Sequence, residues 1–123
     1  MQAKPFRFGP IALTNTYTTN ILNPGTTTGG VNASGSPYDK TRIILKHMRI
    51  SNKTGGAVTF RLFIGATGAN AAGSEIFYDQ SVPANSYVDW YGMLPLDTAD
   101  FLVGGASAAT SLGITGEGEI GVA

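Results

Sequence analysis

His47 is the only histidine in the chain, and it sits among cations in Lys46-His47-Met48-Arg49. A histidine works as a general base when a carboxylate orients it. No acid stands near it in sequence, so His47 reads as structural. Glu117 and Glu119 share one face of a strand, about 7 Å apart by strand geometry. Two carboxylates at roughly that separation can hydrolyse a glycosidic bond. Such pairs normally flank a cleft and come from different elements, so a solvent or interface role is expected. Asp97 and Asp100 could enter a Ca²⁺ loop, but the usual six or more oxygen ligands are not supplied locally. Trp90 with Tyr87 and Tyr91 could form a sugar platform, against which core or interface packing is the simpler reading. The glycines from Gly65 to Gly73 are not followed by Gly-Lys-Ser/Thr, so that stretch is a connection and not a phosphate loop. There is no cysteine, which excludes disulfides and Cys-bound zinc. The expectation is no catalytic residue, no metal and no cofactor.

These residues sit on a pattern of strands. Thr41 to Gly65 reads as a central β-hairpin. Its second half places Val58, Phe60, Leu62 and Ile64 on one face and Ala57, Thr59, Arg61 and Phe63 on the other. A period of two marks a half-buried strand. Its first half is rich in Ile and Leu but scatters its cations over both faces. Asn52 to Gly56 is the expected reversal, with glycine permitting positive φ. A first strand is expected over Ile11 to Leu22, and others over Glu75 to Val82 and Tyr87 to Leu94. Phe101 to Val103 reads as a short buried strand ended by Gly104-Gly105. The last strand is Leu112 to Val122, where Gly116 and Gly118 interrupt the apolar face and mark a bend or bulge. No segment has a period of 3.6. The fold class is therefore all-β: an antiparallel β-sandwich or jelly roll of seven to eight strands.

Residues 1–10, with Pro5 and Pro10, read as an extended N-terminal arm. Its Phe6 and Phe8 either fold back onto their own core or dock on a neighbour. Residues 11–123 form a single domain. Within it, residues 23–37 make a long polar loop, either lying flat on another protein or forming a floppy tip.

With 123 residues and 42% apolar content, the chain is one domain with enough core to fold unaided. Only 13% of its residues are charged, half the usual share, which suggests a surface largely covered by other chains. Residues 1–61 hold all eight Lys and Arg with one acid, and residues 62–123 hold seven acids and no Lys or Arg. The halves are thus +7 and −7. Either cations and acids pair across strands of one sandwich, or neighbouring subunits attract head to tail. A net charge of zero argues against nucleic acid as a partner. No run approaches the ~20 apolar residues of a membrane helix, and the N-terminus does not read as a signal peptide. Asn32-Ala33-Ser34 and Asn52-Lys53-Thr54 therefore read as chance matches to a glycosylation pattern.

One succession of strands and turns has a familiar look. It runs from Asn15-Thr16-Tyr17-Thr18-Thr19-Asn20-Ile21-Leu22 to Ile44-Leu45-Lys46-His47-Met48-Arg49-Ile50-Ser51-Asn52. It continues through Ala57-Val58-Thr59-Phe60-Arg61-Leu62-Phe63-Ile64-Gly65 and Val82-Pro83-Ala84-Asn85-Ser86. It ends with Asp100-Phe101-Leu102-Val103-Gly104-Gly105-Ala106-Ser107. This succession resembles small β-sandwich structural proteins of tailed-phage virions, of the head decoration or cement type. The resemblance implies a non-enzymatic, trimeric protein on the capsid surface, made in the host cytoplasm. It implies the major capsid protein and further copies of itself as partners. A tail or fibre module that binds host surface glycan is the alternative. Phe6, Arg7, Phe8, Trp90 and Tyr91 are the residues expected at an assembly interface.

Overall fold

The computed structural model describes residues 2–24 and 41–122. The strands are β1 (Gln2–Ala12), β2 (Thr19–Leu22), β3 (Thr41–Asn52), β4 (Val58–Gly65), β5 (Glu75–Val82), β6 (Tyr87–Leu96), β7 (Phe101–Ala106) and β8 (Leu112–Val122). They form two four-stranded antiparallel sheets. Sheet 1 has the order β1-β8-β3-β6, and sheet 2 the order β2-β7-β4-β5. Apart from β4 and β5, successive strands lie in opposite sheets. That interleaving is a double-sheet jelly roll.

The core lies between the sheets. Ile43, Leu45, Met48, Ile50, Ile114 and Ile120 of sheet 1 meet Phe60, Leu62 and Leu102 of sheet 2. Each such side chain contributes about 1.5–3 kcal/mol by leaving water.

A bulge in β3 sorts the side chains that the sequence pattern left mixed. Against β8, Leu45 pairs with Gly118 and His47 with Glu117, so two steps on β3 match one on β8. Before the bulge Ile43 and Leu45 are buried; after it Met48 and Ile50 are. The extra residue shifts the inward parity by one. Lys46 and Arg49 are thereby left exposed, and His47 between them is half-buried.

The expected central hairpin is corrected. β3 is flanked on both sides, by β8 and β6, so β4 has no edge to join and pairs with β5 and β7 in the other sheet. Buried Asn52 fixes this corner. Its side-chain amide donates to the carbonyls of Gly56 at 2.8 Å and Val82 at 3.1 Å, and its Oδ1 accepts the Thr54 N–H.

The N-terminal arm is corrected too. Residues 2–12 are an edge strand, laddered to β8 from Gln2↔Val122 to Ala12↔Gly113. An edge position tolerates Pro5, which has no N–H to give. Alternation along this strand turns Phe6 and Phe8 toward the core. The expected strand from Ile11 to Leu22 is split in two. Leu13 N–H still donates to Leu112 O of sheet 1, whereas Thr14 O accepts from Ala106 N–H of sheet 2. Between the two strands, the hydroxyls of Thr14, Thr16 and Thr19 lie 2.6–3.1 Å from one another, a local alternative to a ladder. β7 runs on through Gly104 and Gly105 rather than stopping before them. The expected loop over 23–37 lies outside the described residues beyond Pro24. Asn23 at its start is buried and donates to Thr98 O and Asp100 O.

Candidate assembly face

Sheet order explains the split of charge along the chain. In sheet 1 the cation-bearing strands β1 and β3 alternate with the acid-bearing strands β8 and β6, and in sheet 2 Arg61 of β4 lies beside Asp79 of β5. Lys46 pairs with Glu119 at 2.7 Å, Arg49 with Asp89 at 2.7 Å, Arg61 with Asp79 at 2.7 Å, and Arg42 with Asp97. Each of these joins a cation from residues 1–61 to an acid from residues 62–123. Pairing across strands within one sandwich is therefore present.

On the outer face of sheet 1, four residues stand in one row across all four strands. Arg7 of β1 is opposite Glu117 of β8, Glu117 is opposite His47 of β3, and His47 is opposite Tyr91 of β6. The His47 Nε2 lies 2.9 Å from Asp89 Oδ1, and its Nδ1 lies 3.2 Å from Glu117 Oε1. The Tyr91 ring stacks on the imidazole with 4.6 Å between centroids and 19° between planes. Asp89 also accepts two bonds from the Arg49 guanidinium. Those bonds, followed by the one from His47, hold its carboxyl down to about 2. The same contact raises Arg49 above the ordinary guanidinium value.

No acid is near His47 in sequence, yet the fold brings two to its ring. Its two acids come from neighbouring strands, far away in sequence. They lie against both ring nitrogens and fix the imidazole between β8 and β6. On this open sheet face Glu119 pairs with Lys46, and Glu117 lies against the His47 ring. A shallow groove of about 480 Å³ runs beside them, lined by Pro5, Lys46, His47, Tyr91 and Gly118. At the far turn, the Asp100 carboxylate accepts the Asp97 N–H while Asp97 pairs with Arg42. Among the described residues no group of three or more His, Cys, Asp or Glu is placed to hold a metal.

The five expected interface residues divide by face. Phe8 is only 7% exposed in the core, and Phe6 and Trp90 are half-buried against it. These three pack within their own sandwich, because strand alternation turns them inward. Arg7 is exposed and Tyr91 is 71% exposed, both on the outer face. Trp90 and Tyr91 therefore point to opposite sides of β6 and cannot form one coplanar platform. Among the described residues the exposed large apolar side chains are Tyr78, Tyr87, Tyr91 and Met93, all on the edge strands β5 and β6. Tyr87 sharing a face with Tyr91 was visible in the alternation of the sequence. The same alternation puts Met93 on that face, whereas Tyr78 carried no such signal and the Arg49–Asp89 pair needed the strand order.

No protein-family model matches the chain, and no curated protein matches its sequence. It is similar to a chain in the structure of the Gx strain of infectious bursal disease virus, at 12% identity and a TM-score of 0.41, over 98% of this chain and 33% of that one. It is also similar to a chain of the VP2 subviral particle of infectious bursal disease virus, at 8% identity and a TM-score of 0.35, over 97% of this chain and 32% of that one. The chain thus spans about a third of the length of each.

Proposed function

We propose that this chain is a virion structural protein that binds the outer surface of a tailed-phage capsid and stabilises it, as a decoration or cement protein. The observation that carries this reading is the concentration of exposed Tyr87, Tyr91 and Met93 on one edge strand. Beside that row Lys46 pairs with Glu119 and Arg49 with Asp89. Tyr, Met and Arg are enriched at protein interfaces, and Lys, Glu and Asp depleted. A surface whose charges beside the row pair with one another, and which displays this row, suits another protein surface better than water. The jelly roll is an architecture of capsid, lectin and cupin domains, and the choice among them belongs to the site. The partner is the major capsid protein, and the working place is the virion after synthesis in the host cytoplasm. A ligand that binds only the assembled lattice shifts the equilibrium toward it by mass action. The glycan-binding alternative rested on a joint Trp90–Tyr91 platform, and no observation favours it. The proposed role is non-enzymatic.

The test is cosedimentation of the purified protein with bare capsids of the phage that encodes it. Tyr87→Ala together with Met93→Ala should weaken binding at least tenfold, about 1.4 kcal/mol, with an unchanged dichroism spectrum. Unchanged binding by the double variant would remove this face from the attachment. No binding by the unaltered protein would contradict the function.

A further inference from the structure

We propose that copies of this chain associate head to tail, the β1 edge of one copy adding to the β6 edge of the next. This goes beyond capsid attachment and does not depend on it. Among the described residues, β1 and β6 are the two edge strands of sheet 1, each with one side unpaired. Three antiparallel pairings separate them, so they run in opposite directions. A second copy in the same orientation therefore brings its β1 antiparallel to β6, and the sheet continues without a change of pattern. An unpaired edge is a template for such addition.

The side chains suit one register. Arg7 and Tyr91 stand at the two ends of the same transverse row. Setting Arg7 of a second copy opposite Tyr91 extends that row by one position. Tyr91 has its ring stacked on His47 and is 71% exposed, leaving the side away from the imidazole to receive a guanidinium. The chain already makes this kind of contact internally, at 4.2 Å between Arg49 and Tyr87 and at 4.1 Å between Arg61 and Tyr78. The same register sets Phe8 of the second copy opposite Trp90, each on the inward side of its own edge strand.

Charge selects this pairing over its symmetric alternatives. Two β6 edges centred on Asp89 would oppose two carboxylates, and two β1 edges centred on Arg7 would oppose two cations. The mixed contact places Arg7 near Asp89 as well as Tyr91. Pro5 and Pro10 keep the shared ladder short, so association depends on these side chains. A contact between two different patches closes into a ring or grows as a filament.

Sedimentation velocity on the full chain, without capsids, tests this. The protein should form concentration-dependent oligomers. Arg7→Glu and Tyr91→Ala, each alone, should weaken association at least tenfold, and Tyr91→Phe should retain it. An equimolar mixture of Arg7→Glu and Tyr91→Ala should recover a dimer and nothing larger. In that pair one junction has an intact Arg7 and an intact Tyr91. A monomer at every concentration overturns the proposal, as do variants that associate like the parent. So does a mixture that fails to recover the dimer.

Discussion

The Phe8 ring fills the space that a side chain at position 116 would occupy. The two are ladder partners on β1 and β8, and a Cβ built on Gly116 would run into the ring. The contact fastens the edge strand to the core. Gly116→Ala should destabilise the fold by about 1–3 kcal/mol through overpacking. Adding Phe8→Leu should return part of that loss, because residues in contact do not behave additively. Denaturant midpoints measure both. Fully additive losses would contradict the contact.

The N-terminal residues should matter to folding itself. Phe8→Ala removes a core side chain and should cost about 3–5 kcal/mol. Deleting residues 1–10 removes that ring, Phe6 and the ladder to β8, and should abolish cooperative melting. A truncated chain that melts within a few degrees of the full one would contradict the strand pairing.

Much of this was legible in the sequence, and the reasons for the remainder are physical. Alternation located Glu75 to Val82 and Leu112 to Val122 at the ends the strands have. It also put Tyr87 and Tyr91 opposite Val88 and Trp90. It failed in β3, where one extra residue reverses the inward parity. Alternation identifies faces but does not say which strands are neighbours. Residues 41–65 therefore looked like a hairpin although Asn52 turns the chain into the other sheet. For the same reason His47 looked isolated, since Asp89 and Glu117 reach it only through the order β8-β3-β6. Gly104 looked like a strand end. Instead it lets the Arg61 backbone approach where a Cβ would collide.

Asn52 should be intolerant of substitution. It is 3% exposed and satisfies carbonyls on both sides of the corner. Asn52→Leu would strand them without a donor and should cost about 1–3 kcal/mol. Equilibrium unfolding checks this. A change within about 0.5 kcal/mol, the range of ordinary surface substitutions, would show that the corner holds without it.

Acid should loosen the outer face through Asp89. Its folded value of about 2 lies below the ordinary aspartate value of 3.8. A depressed carboxylate contributes stability that is fully present above about pH 4 and is lost as the pH falls toward 2. Melting temperature in Asp89→Asn should therefore vary less with pH across that window than in the parent. Identical pH profiles would contradict the assignment.

Location on the particle bears most directly on the central claim. Under the proposed function, electron microscopy of phage virions labelled with gold-conjugated antibody against this chain would show that location. The account predicts gold over the capsid shell. Gold on the tail or fibres, with bare heads, would contradict it.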